Sequence, residues 1–186
     1  KGRMSKIGRN TDHLKILPAC LVVVGNTMEE AQAKRDHLDS LINYETAIAS
    51  LSIVLGQDAS KFDPDKSLPN IPESNASKSA RKRAIDLAKS ENLTVRQLAQ
   101  RLGGFSGLAM VGTPQTIADE MEEWLITEGC DGFIIMFPFL PEGLDSFVDR
   151  VIPELQGRGL FRIDYEGPTL RDSLGLPRPD NQFFTK

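Results

Sequence analysis

The chain has no apolar run approaching the roughly 20 residues that span a bilayer. Its longest runs, Ala19 to Val24 and Phe133 to Leu140, are strand-sized. No signal-peptide pattern stands at its start. Cysteine and histidine are scarce, at two each. Cys20 and Cys130 sit singly inside apolar stretches, which reads as two buried thiols rather than a disulfide. A reducing compartment, the cytoplasm, is the expectation that goes with them. His13 and His37 have no partner at metal-ligand spacing, and His37, between Asp36 and Asp39, reads as a solvated helix residue. Basic excess is also lacking: the net charge is −4 and the pI about 5.3. That balance disfavours a nucleic-acid partner, which calls for a basic face. There is no P-loop, no G-x-G-x-x-G, no G-x-S-x-G and no C-x-x-C. No acid–base pair stands out either, so no catalytic residue is assigned. The acidic run from Asp119 to Glu123 reads as the wet face of a helix.

What is present suits a folded α/β domain. There are 186 residues, 40% hydrophobic and 26% charged, enough for one real core. Ile16 to Val24, a continuous apolar run rich in β-branched residues, predicts a strand covered on both faces. Thr27 with Glu30 forms a capping-box pattern opening a helix. Met28, Ala31, Arg35, Leu38, Leu41 and Ile42 fall on one face of it. The helical pattern bends near Asn43 and runs to a stop at Gly56. Residues 57–79 hold three prolines and many Ser, Asp and Asn, and read as an exposed irregular excursion.

Two further helices follow, Ser79 to Asn92 and one opening at Thr94 in a second capping box and ending at Gly103–Gly104. Gly107 to Val111 reads as a short strand. Thr113 caps the next helix with Pro114 at its first position, where the missing N–H costs nothing. Ile117, Met121, Trp124 and Leu125 form its buried stripe and Gly129 its stop. Phe133 to Phe137 is a third strand. Leu144 to Gln156 is a last helix that Pro153 kinks or breaks. From Leu160 the chain reads as an extended tail. Three parallel strand–helix units make a poor isolated sheet, which leaves an open doubly wound sheet or the last part of an eight-stranded barrel. A chain opening at Lys1 reads as a piece of a longer one.

Thr94 to Gly103 also has the look of the first helix of a helix-turn-helix. The next helix, from Pro114, is acidic and too far along the chain to read a groove, so a small DNA-binding protein is disfavoured.

The second half of the chain carries the sharper signal. Val111-Gly112-Thr113-Pro114, Ala118-Asp119, Asp131-Gly132-Phe133, Pro153-Glu154-Leu155-Gln156, Arg158-Gly159 and Thr169-Leu170-Arg171 occur in that order. Together they resemble the C-terminal stretch of flavin-dependent monooxygenases of the bacterial-luciferase superfamily. The similarity is to the branch of nitrilotriacetate monooxygenase component A, pristinamycin IIA synthase, dibenzothiophene-sulfone monooxygenase and dimethyl-sulfide monooxygenase. The stretch from His13 to Lys34 is similar to a later barrel strand of that family and the helix after it.

The resemblance implies a single partial luciferase-like barrel domain over residues 1–186. It would hold the last three or so strand–helix units of an incomplete (β/α)8 TIM barrel, with the excursion at 57–79 and a wrapping tail at 160–186. It implies reduced FMN supplied by a separate NAD(P)H-dependent flavin reductase. O2 and a small organic substrate complete the reaction, which the flavin carries while the protein keeps a dry, shaped cavity. A homo-oligomer is left open. No nucleic acid or membrane is expected. In barrels the working face lies at the C-terminal ends of the strands. Gly112, Thr113, Met136, Phe137 and Pro138 are therefore expected to line part of the flavin or substrate cavity. Arg158, Arg162 and Arg171 are expected to anchor the tail through carboxylates. The alternative is a catalytically incompetent barrel fragment acting as an assembly piece through an open sheet edge.

Overall fold

The computed structural model describes residues 2–104, 107–165, 167–181 and 183. In chain order the elements are α1 (Gly2–Lys6), β1 (Ala19–Val24), α2 (Met28–Ser40), α3 (Tyr44–Leu55), α4 (Lys78–Ser90), α5 (Val95–Gly103) and β2 (Leu108–Gly112). They continue as α6 (Pro114–Ile126), β3 (Ile134–Met136), α7 (Glu142–Ser146), α8 (Ile152–Gly157) and α9 (Leu170–Ser173). By contacts the chain divides into two units, Lys1–Val24 with Thr113–Lys186, and Gly25–Gly112.

In the first unit β1 and β3 run parallel, with Ala19 opposite Ile134, Cys20 opposite Ile135 and Leu21 opposite Met136. β1 begins three residues later than its apolar run predicts. Pro18 has no N–H to give to a ladder and joins only as an acceptor, from Ile134 N–H at 2.9 Å. Just before it, the Ile16 carbonyl accepts from Asp131 N–H at 2.8 Å. Ile16 N–H donates back to Asp131 Oδ2 at 2.9 Å. Residues 20–24 of β1 are all buried. β3 is shorter than predicted and less covered: Ile134 is 55% exposed and Met136 38%.

α6 buries Ile117, Ala118 and Met121, whereas Trp124 and Leu125 are only half-buried. Its stop differs from the expected glycine. Glu128 takes the left-handed conformation, φ 58°. Gly129 instead lies under Trp124, where a Cβ would come within 3.0 Å of the indole. The last long helix is α7, a π-helical turn over Phe147–Val151, then α8. Pro153 neither breaks nor ends it. It cannot donate backward, and the wider π turn just before it relieves the clash its ring would make in an α-helix. The tail is not wholly extended. Thr169 and Asp172 form a capping box that opens α9. The tail reading at Glu166, Gln182 and residues 184–186 lies outside the described residues.

In the second unit Thr27 caps α2, accepting from Glu30 N–H at 3.2 Å. The box does not close as expected. Glu30 Oε2 accepts from Asn26 instead, from its N–H at 2.9 Å and its amide nitrogen at 2.7 Å. These contacts hold the Glu30 carboxyl below its ordinary range, with Asn26 N–H the largest cause. The predicted stripe is weaker than its periodicity: Ala31 is buried, but Met28 is 48% and Leu41 66% exposed. Asn43 caps α3, and Gly56 ends it at φ 71°. α2 and α3 meet at 86°, and no single helix among the described residues is long and apolar enough to cross a membrane.

Leu51 and Leu55 of α3 and Val95, Leu98 and Ala99 of α5 are fully buried together. The two helices approach closely at Gly103, where a Cβ would lie 2.7 Å from that of Ala47. Thr94 and Gln97 exchange the two hydrogen bonds of their capping box, at 2.9 and 3.2 Å.

The excursion is not an exposed loop. Ala59 and Ile71 are buried, and Phe62 and Leu68 pack on the same core. Its backbone is tied to the start of α5: Val95 N–H donates to the Lys66 carbonyl at 2.9 Å and Arg96 N–H to that of Pro64 at 2.8 Å. Prolines keep it irregular, but its polar backbone finds partners and its apolar side chains find cover.

Candidate functional site

Gly112 ends β2 and is buried, and its carbonyl accepts from Gly25 N–H at 2.9 Å. Gly112 belongs to the second unit; the other four predicted residues belong to the first. Thr113 is the cap of α6. Its hydroxyl accepts from Thr116 N–H at 3.3 Å, and its carbonyl accepts the first helical bond, from Ile117 N–H, at 3.0 Å. The Thr113 side chain thus already has a structural task. Pro114 behind it is buried.

Met136, Phe137 and Pro138 follow one another at the C-terminal end of β3. Met136 lies opposite Leu21 of β1. Phe137 is half-buried and meets Phe147 edge to face, with centroids 5.8 Å apart. Gly143 of α7 lies against Phe137, where a Cβ would make only an ordinary contact at 3.7 Å. Pro138 is half-buried. Phe137 and Pro138 are both apolar, and none of the five residues is a cation able to hold a phosphate.

The charged chemistry of this unit lies elsewhere. Arg158, just after α8, reaches Asp119 Oδ1 at 2.7 Å and Glu122 Oε2 at 2.9 Å on α6, and Glu154 Oε1 at 2.9 Å on its own helix. Asp119 first, then Glu154 and Glu122, raise the guanidinium pKa further. The carboxylate expectation holds for Arg158, although the anchor joins α8 to α6 rather than holding the tail. Among the described residues it does not hold for the other two. Arg162 stacks on the Phe161 and Tyr165 rings at 5.4 and 5.3 Å. Arg171 donates to the Pro177 carbonyl at 3.1 Å.

Cys20 and Cys130 are buried thiols that no disulfide joins. Burial pushes the Cys130 thiol up. Burial, then the nearby Glu123, also raises the Glu120 carboxyl. Among the described residues no three His, Cys, Asp or Glu side chains gather to hold a metal. His37 is exposed, as read. The partner of Phe137 escaped the sequence reading; only the recurrence of phenylalanine at 137 and 147 hinted at it.

No family model matches the chain. It is 49% identical over 184 residues to nitrilotriacetate monooxygenase component A of Aminobacter aminovorans, covering 97% of this chain and 41% of that protein. It is 43% identical to a pristinamycin IIA synthase subunit of Streptomyces pristinaespiralis, covering 96% and 42%. Among solved structures it is similar to a riboflavin lyase, RcaE, determined with modified FMN and riboflavin: TM-score 0.73, 29% identity, 94% of this chain and 38% of that one. The chain spans about two fifths of the length of the curated relatives it matches. Over nearly all of its own length the chain is therefore similar to these two proteins, both of which its motifs resemble.

Proposed function

We propose that this chain is the C-terminal portion of an FMN-dependent monooxygenase that oxygenates a small organic substrate with reduced flavin and O2. The observation that carries the reading is the 49% identity to nitrilotriacetate monooxygenase component A, held over 97% of the chain. A relative named component A implies a companion, and an NAD(P)H-dependent flavin reductase is the companion proposed. The parallel pair β1 and β3, followed by α7 and α8 and preceded by α6, supports placement among the last strand–helix units of a (β/α)8 barrel.

In this reading Gly112, Thr113, Met136, Phe137 and Pro138 line part of the flavin or substrate cavity. Bound reduced flavin would supply the oxygen-activating chemistry. Phe137 and Pro138 would exclude water from that chemistry and give the ring an apolar wall. Thr113 would fix the start of α6, and Gly112, with no side chain, would let the backbone come close to the ligand. The flavin phosphate would be held by residues other than these five.

Two measurements test this. The first is a calorimetric melt of the 186-residue chain with and without excess FMN under reducing, anaerobic conditions. A flavin-dependent rise of a cooperative transition is expected; a flat response to flavin would deny this chain a flavin site of its own. The second is Phe137→Ala in a complete enzyme, expected to weaken flavin affinity or turnover. Unchanged values of both would remove Phe137 from the cavity.

A second reading, an assembly piece without activity of its own, is favoured by β3. Its Ile134 and Met136 are exposed, which is unusual for a parallel strand. The reading frame upstream of Lys1 separates the two. Several more strand–helix units there favour the enzyme, and an immediate stop favours the fragment.

A further inference from the structure

A cavity of about 360 Å3 opens in the first unit near the N-terminal end of β3, and Met136, Phe137 and Pro138 are not among its lining residues. Its size falls in the range of small-molecule sites, roughly 300–1,000 Å3. The walls are mostly apolar. Met121 and Leu125 come from α6, Phe133 and Ile135 from the β3 segment, Phe147 and Leu155 from the last long helix. Leu160, Phe161 and Leu174 of the tail also line it.

This wall is held in place. Leu160 N–H donates to the Leu155 carbonyl at 2.9 Å and Gly159 N–H to that of Gln156 at 3.0 Å, with Gly159 left-handed at φ 71°. The side-chain amide of Gln156 donates to the Arg162 carbonyl at 2.8 Å. The capping box of α9 fixes the segment that presents Leu174.

Two charged side chains reach the cavity, and they differ. Asp131 uses Oδ2 to accept from Ile16 N–H. Arg162 is exposed at the tail, stacked on two rings, and makes no ion pair among the described residues. An apolar chamber with a pre-oriented guanidinium at its edge suits one ligand class. A hydrophobic tail would fill the chamber, and a carboxylate would take the guanidinium's donors.

We infer that this cavity binds a hydrophobic carboxylate, such as a medium-chain fatty acid, with the acid on Arg162 and the chain between α6, β3 and the tail. The site does not depend on the flavin reading, and Met136, Phe137 and Pro138 do not line it.

Trp124, the single tryptophan, stands 6.4 Å from the Phe133 ring that lines the cavity and reports on it. The 186-residue chain is titrated with decanoate, decanol and decylammonium, following Trp124 fluorescence. Decanoate is expected to bind about tenfold tighter than decanol, as one charge-assisted hydrogen-bonded pair would give. Arg162→Gln should erase that margin and leave decanol affinity unchanged. Leu174→Phe, at a half-buried position, should weaken binding of both while the melting temperature stays put and Trp124 remains the single tryptophan. No saturable change with decanoate, a preference for decylammonium, or a margin that survives Arg162→Gln would overturn the assignment.

Discussion

Arg158 holds Asp119 at 2.7 Å, a contact that joins the end of the last long helix to the helix Thr113 begins. Asp119 and Arg158 stand 39 positions apart in the chain. Glu122 and Glu154 complete a ring of three carboxylates around one guanidinium. Replacing Arg158 with Met leaves those three charges facing one another without a cation. The variant is expected to melt at lower temperature than the parent. The deficit should shrink at about 1 M salt, where charges are screened within roughly 3 Å. A thermal melt at two salt concentrations checks both parts.

Gly103 is expected to resist even the smallest side chain. The added methyl of Gly103→Ala would meet both Cα and Cβ of Ala47, and a helix backbone cannot move aside cheaply. Overpacking of this kind costs about 1–3 kcal/mol. Urea unfolding measures it, and the loss should ease in a Gly103→Ala, Ala47→Gly double variant.

Leu98 is fully buried between α5 and α3. Leu98→Ala should cost about 2–5 kcal/mol, the transfer loss plus the cavity left behind. Ile53, 79% exposed on α3, is the control: Ile53→Ala should fall within about 0.5 kcal/mol of the parent.

Glu120 gives a pH signature. Burial, then Glu123, raises its folded pKa above the unfolded value. Between those two values the folded chain keeps a proton that the unfolded chain has lost. Stability therefore falls as pH rises from the unfolded pKa through the folded one. At neutral pH the ionised carboxylate is a net cost. Glu120→Gln is expected to raise the melting temperature at pH 7, with the gain fading towards about pH 4, near the ordinary glutamate value. Melts across that window check the sign.

Legibility followed the range of the interactions. Thr94 with Gln97, Asn43, Gly56 and Thr113-Pro114 each mark a helix end by chemistry within a few residues. The elements they bound were readable for that reason. The Thr169–Asp172 box was equally local, yet an aspartate stands where the usual pattern has glutamate or glutamine, and α9 went unread. The excursion was misread because its ties are distant: Asp65 is held by Arg96, and Pro64 and Lys66 by the start of α5. Its prolines advertise irregularity, not exposure. At the candidate site the strand ends were legible from apolar runs and turn residues. The seat of Phe137 against Phe147 was not, because it depends on how the π turn folds back on the residue after β3. The roles of Arg162 and Arg171 were misjudged for a similar reason: a guanidinium takes rings and carbonyls as readily as carboxylates when those are nearer.

The π turn at Phe147–Val151 sets the phase of everything after it. A helix advances about 100° per residue, and a wide turn carries one residue more than the α-helix would. Removing one residue from that turn would keep the chain helical but rotate α8 by roughly a quarter-turn. Leu155 would leave the core and Arg158 would swing away from Asp119. A segment that looks like a flaw in a helix is in effect the index mark that aligns two faces, and a single deletion there should harm the fold more than most substitutions on either side.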